Sequence, residues 1–146
     1  MPRLRLQIQV DADAGPLPVG RPQIRRWVES ALSADAHLVL RFVGLQEGKS
    51  LNRQFRGRNR PTNVLTFDYG EPIVTADVVI CMPVVRAEAT AQGKAERDHL
   101  AHLVVHGVLH AQGHDHEEDG EAERMEAREA AILRRFGITD PYEGGS

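Results

Sequence analysis

Leu4, Leu6, Ile8 and Val10 alternate with polar residues, the two-residue period of a strand with one buried face. The next stretch, DADAGPLPVGRP, is rich in Asp, Gly and Pro and predicts a loop. Beyond Pro22, which suits a first helical turn, Ile24, Trp27, Val28, Ala31 and Leu32 recur at helical spacing. HLVLRFVG (37–44) predicts a second strand, and EGKSLNRQFRG a short helix closed by Gly57. NVLTFDY (63–69) and ADVVICMP (76–83) predict a third and a fourth strand. Helices are expected over 84–93, 96–113 and 119–136, followed by a tail over about 138–146 that ends in GGS. Strands come first and helices dominate the second half. The expected class is therefore α+β: a small mixed β-sheet of about four strands with helices packed on it.

Length and composition narrow the picture. The 146 residues suit a single domain, 1–146, with no internal repeat and no linker long enough to divide it. Hydrophobic residues at 41% and charged residues at 27% are ordinary for a soluble globular protein. No apolar run reaches the roughly 18 residues of a membrane span, and no signal-peptide core follows Met1, so no membrane association is expected. The single cysteine, Cys81, rules out an intrachain disulfide and points to a reducing, cytoplasmic setting. A net charge of −3 does not advertise nucleic-acid binding, but the distribution is uneven. Arg53, Arg56, Arg58 and Arg60 cluster in RQFRGRNRP, whereas the segment from Glu117 to Glu129 is acidic.

Six of the seven histidines lie between His99 and His116. His99, His102, His106 and His110 step by three, four and four residues, which keeps them on one helical face. His106 and His110, at i and i+4, can direct both rings at one point about 2.0–2.1 Å from each nitrogen, as zinc requires. Gly113 is placed to end the helix in a left-handed turn and bring a downstream residue back to that point. His114 and His116 are the candidates. The spacing H-x-x-x-H-x-x-G-x-x-H matches the extended zinc motif of metzincin proteases and favours His116 as third ligand. His99 and His102 extend the stripe, but nothing at their end of it offers a further ligand. A one-zinc site with three histidines and an open fourth position brings bound water to a pKa of about 7, so the expected catalytic group is a zinc-bound water held by His106, His110 and His116, which either does most of the work itself or is helped by another residue that moves protons. The glutamate that serves as general base in those proteases is replaced by Gly107, which argues against peptide hydrolysis and not against hydrolysis. The four arginines suit phosphate oxygens, though a solvated basic loop accounts for them equally well.

The blocks LNRQFRGRNRPTNVLTF, ADVVICMPVVRAEA and HLVVHGVLHAQGHDHEEDGEAERMEAREAAIL together resemble the YbeY family of bacterial endoribonucleases, over about Leu38 to Tyr142. The resemblance implies an α+β fold, a zinc held by three histidines and single-strand-specific RNA cleavage. It also implies roles in small-subunit (16S) ribosomal RNA 3′-end maturation and ribosome quality control. The partners it implies are ribosomal RNA, the small subunit and assembly factors, with no DNA substrate. The family's ligands fall on His106, His110 and His116, and its functional arginine on Arg56, with Phe55 where a tyrosine is usual. Thr62, Asn63, Val64 and Leu65 match a strand that walls the site. A Gly-Asp pair of the family appears as Ala76-Asp77, and His114 stands where relatives carry tyrosine. Asp77, His114, Asp115, Arg53, Arg58 and Arg60 are thus further candidates for supporting the ligands or contacting RNA. Two rival readings remain: a metal-dependent peptidase, and a non-catalytic ribosome-assembly factor with a structural zinc.

Overall fold

The computed structural model describes residues 2–56, 62–70, 73–113 and 119–142, the side chains of Arg56 and Asp119 apart. In chain order the elements are β1 (Leu4–Val10), α1 (Arg21–Ala31), β2 (Ala36–Val43), α2 (Leu45–Arg56), β3 (Val64–Asp68), β4 (Val74–Cys81), α3 (Met82–Gln92), α4 (Glu96–Ala111) and α5 (Asp119–Arg135), with a 3-10 turn at Ala12–Ala14. The sheet order is β1-β2-β4-β3. β1, β2 and β4 run parallel, and β3 pairs antiparallel with β4 along the edge. The expected α+β class with a four-stranded mixed sheet is the one observed. Most boundaries move by a residue or two. The fourth strand stops at Cys81, because Pro83 lies in the first turn of α3, where a residue without an N–H costs nothing.

Alternation along the strands sends side chains to two different environments. Leu38, Leu40 and Phe42 of β2 and Ala76, Val78 and Ile80 of β4 face the main core, built with α1 and α4. Val43, Leu65, Val79 and Cys81 face the other way, into a smaller cluster that Leu51 of α2 and Val84 of α3 cover in part. Ala76 keeps regular register with Leu38 and Asp68, so the alanine of the Ala76-Asp77 pair fits the strand.

α4 is the central helix. Leu100, Ala101, Leu103, Val104, Val105, Val108 and Leu109 are all buried, so it is apolar over most of its circumference. Each aliphatic side chain fully buried this way contributes about 1.5–3 kcal/mol of transfer free energy. Gly107 permits the closest approach: a Cβ there would lie 2.6 Å from Val78 Cγ1, inside van der Waals contact. The segment expected as a tail begins on the core, where Ile138 is buried. Among the described residues no helix is long and apolar enough to cross a membrane.

Candidate metal centre

The histidine stripe is the polar seam of an otherwise apolar helix, and α5 closes over it. Met125, Ile132 and Leu133 form the buried stripe of α5, and Glu129 stands within that stripe, completely buried. A carboxylate so placed is tolerated only when paired and hydrogen-bonded. Its Oε1 accepts a hydrogen bond from His106 Nδ1, its Oε2 accepts one from the Tyr142 hydroxyl, and His102 Nε2 lies 3.5 Å from Oε2. Burial alone would raise the Glu129 carboxyl. The hydrogen bonds from His102 and His106, the charge of His106 and the Tyr142 bond outweigh it and hold the pKa at about 2. Tyr142 is pushed well above its ordinary value by burial first and then by its bond to Glu129.

The carboxylate on its Nδ1 side orients the His106 ring, as carboxylates commonly do behind metal-binding imidazoles. His110 lies one turn on, its ring stacked on His106 with centroids 5.9 Å apart and planes 17° from parallel. His102 Nε2 is 3.1 Å from the Tyr142 hydroxyl, which donates to Glu129 and accepts from His102. The His102 Nδ1 is buried without a hydrogen-bond partner among the described residues. His99, at the far end of the stripe, is buried with Nε2 2.9 Å from Glu88 Oε1, and Asn63 Nδ2 donates to the same oxygen at 3.1 Å.

His102, His106 and Glu129 present ligand atoms within 4.8 Å of one another and could hold a metal ion. The same three groups also satisfy one another by hydrogen bonds. Two arrangements therefore share His106: an ion on its Nδ1 side with His102 and Glu129, or an ion on its Nε2 side with Glu129 behind the ring. Imidazole and carboxylate donors suit zinc in either.

The turn expected after α4 is present. Gly113 has φ +90°, a value that favours glycine, and its N–H donates to the His110 carbonyl at 3.0 Å. Gln112 fixes this end of the helix, donating to the Ala31 carbonyl at 2.8 Å and accepting from the Ser33 N–H at 2.8 Å. His114, Asp115 and His116 lie outside the described residues, as do Arg58, Arg60 and the Arg56 side chain. Arg53 is exposed on α2, which packs on the sheet face away from α4: a Cβ at Gly48 would meet Cys81 Sγ. Asp77 also points to that face, where its Oδ2 accepts a 2.9 Å hydrogen bond from Tyr69, so it does not join the histidines. Val64, in contrast, packs against the main core beside Gly107.

The sequence reading missed Glu129 and Tyr142 and set His102 aside. One signal for Glu129 existed: an acid four residues from Met125 and from Leu133 lies on the apolar face of its own helix.

A model of the family described as Endoribonuclease YbeY matches residues 18–137. The chain belongs to that family. A protein named Endoribonuclease YbeY from Thiobacillus denitrificans is 53% identical over 144 residues, covering 97% of each chain. A protein of the same name from Methylibium petroleiphilum is 48% identical, covering 97% of this chain and 95% of its own. The solution structure of a Thermotoga maritima protein, 26% identical, superposes with a TM-score of 0.58 over 96% of this chain and 99% of that one.

Proposed function

We propose that this chain is a zinc-dependent, single-strand-specific endoribonuclease. We infer that it works in the cytoplasm on 16S ribosomal RNA 3′-end maturation and ribosome quality control, with the small subunit and its assembly factors as partners. The observation that carries the reading is the buried Glu129 behind His106, because its carboxylate holds the Nδ1 edge of that ring and so orients it beside His110. Membership of a family described as Endoribonuclease YbeY supplies the reaction class. In this reading His106, His110 and His116 would hold one zinc, with His114 and Asp115 as candidates for supporting the ligands or contacting RNA. Zinc bound there supplies Lewis acidity, ionising water near neutral pH and offsetting phosphate charge. Glu129 keeps the Nδ1 proton of His106 in place, and Tyr142 and His102 complete the carboxylate's hydrogen bonds. Arg56 steadies the phosphate where negative charge grows, while Arg53, Arg58 and Arg60 draw RNA in through their combined field.

The peptidase reading loses ground at Gly107. A glutamate there would have to enter the 2.6 Å gap to Val78 before reaching any substrate.

The decisive experiment combines metal analysis with cleavage of single-stranded and structured RNA by zinc-loaded, chelated and variant protein. His106→Ala, His110→Ala and His116→Ala are expected to lose both stoichiometric zinc and cleavage, and His114→Ala to keep the zinc. Arg56→Ala is expected to keep the metal and lose turnover far more than RNA affinity, with lysine a poor replacement. Zinc retention by His110→Ala together with its loss from His102→Ala would move the ion to the Nδ1 side of His106.

A further inference from the structure

Among the described residues, the sheet face away from α4 is only partly covered. Between β1, β2, β4, β3 and α2 it leaves an open cavity of about 520 Å³. Three aromatic rings line it: Phe67, and two that solvent reaches freely, Phe55 at 57% and Tyr69 at 63% exposure. Phe55 and Phe67 meet edge to face with centroids 4.9 Å apart, which fixes the Phe55 ring. Exposed aromatic rings grouped around one cavity form the kind of patch that marks a ligand-binding groove.

The polar lining is mixed in a definite way. Asp77 offers acceptor oxygens, one already receiving the Tyr69 hydroxyl at 2.9 Å. Arg41 offers donors from a fixed guanidinium, tied to Asp11 Oδ2 and to Glu47 Oε1 at 3.1 Å each, with further N–H groups to spare. Gln9 adds one group of each kind. A cationic side chain would need acceptors alone. A nucleobase needs both, along with a ring to stack on.

We propose that this cavity, formed by Phe55, Phe67 and Tyr69 around Asp77, Arg41 and Gln9, is a subsite for one unstacked base of single-stranded RNA, guanine foremost. Guanine sets N1–H and N2–H side by side for the Asp77 carboxylate and carries O6 and N7 as acceptors for Arg41. The cavity is open on one side, so the sugar and phosphates stay outside. The acidic character of Asp77 and Asp11 then does not oppose the backbone at close range. β3 is the edge strand between this cavity and the α4 face, so an RNA strand passing round that edge reaches both. The inference rests on the endoribonuclease reading and adds to it a base preference set away from the metal centre.

The test is equilibrium binding of two labelled single-stranded hexamers, one all-uridine and one with a single central guanosine. The proteins compared are the full chain and its Phe55→Ala, Tyr69→Ala, Tyr69→Phe and Asp77→Asn variants. The guanosine hexamer is expected to bind the parent more tightly. Phe55→Ala and Tyr69→Ala are expected to weaken it by roughly fivefold or more, as loss of one base stack does. Tyr69→Phe is expected to retain most of the affinity, and Asp77→Asn to erase the preference over uridine. A central 6-thioguanosine is expected to cross-link to the peptide carrying Phe55 or Tyr69. Thermal melts matching the parent's establish that the variants fold. If all four variants bind both hexamers as the parent does, or the cross-link maps elsewhere, the subsite is overturned. It is equally overturned if the variants keep RNA and lose an arginine-rich peptide instead, which would make the cavity a guanidinium site. A chain that cleaves RNA while the variants bind normally refutes the subsite alone. A chain that neither binds nor cleaves any RNA refutes the endoribonuclease reading with it.

Discussion

On the α4 side of the sheet, Leu38, Leu40, Phe42, Val78 and Ile80 are sealed beneath helices, and the Glu129 carboxylate there is tied to His106 and Tyr142. On the α2 side, Val79 and Cys81 are covered in part, while Asp77, Arg41 and Tyr69 line a cavity open to solvent. The same four strands serve both faces, and what differs is how each face treats charge. The sealed face holds Glu129 ionised by surrounding it with two imidazoles and a phenol. The open face leaves its charges to water and to each other. A sealed polar network favours a fixed geometry, as a metal site requires, and an open mixed surface favours exchange with a ligand that comes and goes.

That contrast can be broken most severely at Glu129. Glu129→Ala removes the shared partner of His106 and Tyr142 and is expected to lower stability by about 3–5 kcal/mol, read by urea unfolding. Glu129→Gln keeps the shape and is expected to reduce zinc affinity about 10- to 100-fold in a competitive chelator titration. An unchanged affinity would mean that the carboxylate does not position the ring.

Next in size is the contact between α4 and the sheet. Gly107→Ala is expected to destabilise by about 1–3 kcal/mol through overpacking against Val78, and Val78→Ala added to it should recover much of the loss. If the double variant is no more stable than the single one, the close approach is not what requires glycine.

A pH titration sharpens the comparison further. The folded Glu129 carboxyl, near 2, lies below its ordinary value of 4.5, so its contribution to stability is complete above 4.5 and is lost as pH falls from there towards 2. Chelated protein is expected to lose stability across that window, and Glu129→Gln to lose less. Smallest is Arg53→Ala on the exposed α2 surface. It should weaken RNA binding only modestly and reduce the salt dependence by no more than one counterion's worth. A large, salt-independent loss would mean that Arg53 makes a specific contact.

Much of this was legible in the order of residues. Two-residue and 3.6-residue periods are local consequences of backbone geometry, so all four strands and the five helices could be read within a few positions. The i, i+4 spacing of His106 and His110 and the glycine after them are local in the same sense. Their consequence, two rings side by side ahead of a left-handed turn, follows without reference to the rest of the chain. The partners of those rings did not follow. Glu129 lies 23 residues beyond His106, and its identity as the buried carboxylate depends on which face α5 turns to α4. His102 looked idle for the same reason, since Glu129 arrives only when α5 packs on α4, and Tyr142 only when the chain after α5 folds back. Gly107 read as a missing base, and only the 2.6 Å approach of Val78 made it a packing position. The family pattern left Asp77 either supporting the ligands or contacting RNA, and only strand alternation and the position of α4 put it on the face away from the histidines. Periodicity is decided by neighbours along the chain. The pairing of buried charges is decided by which elements the hydrophobic core brings together, and no local spacing encodes that.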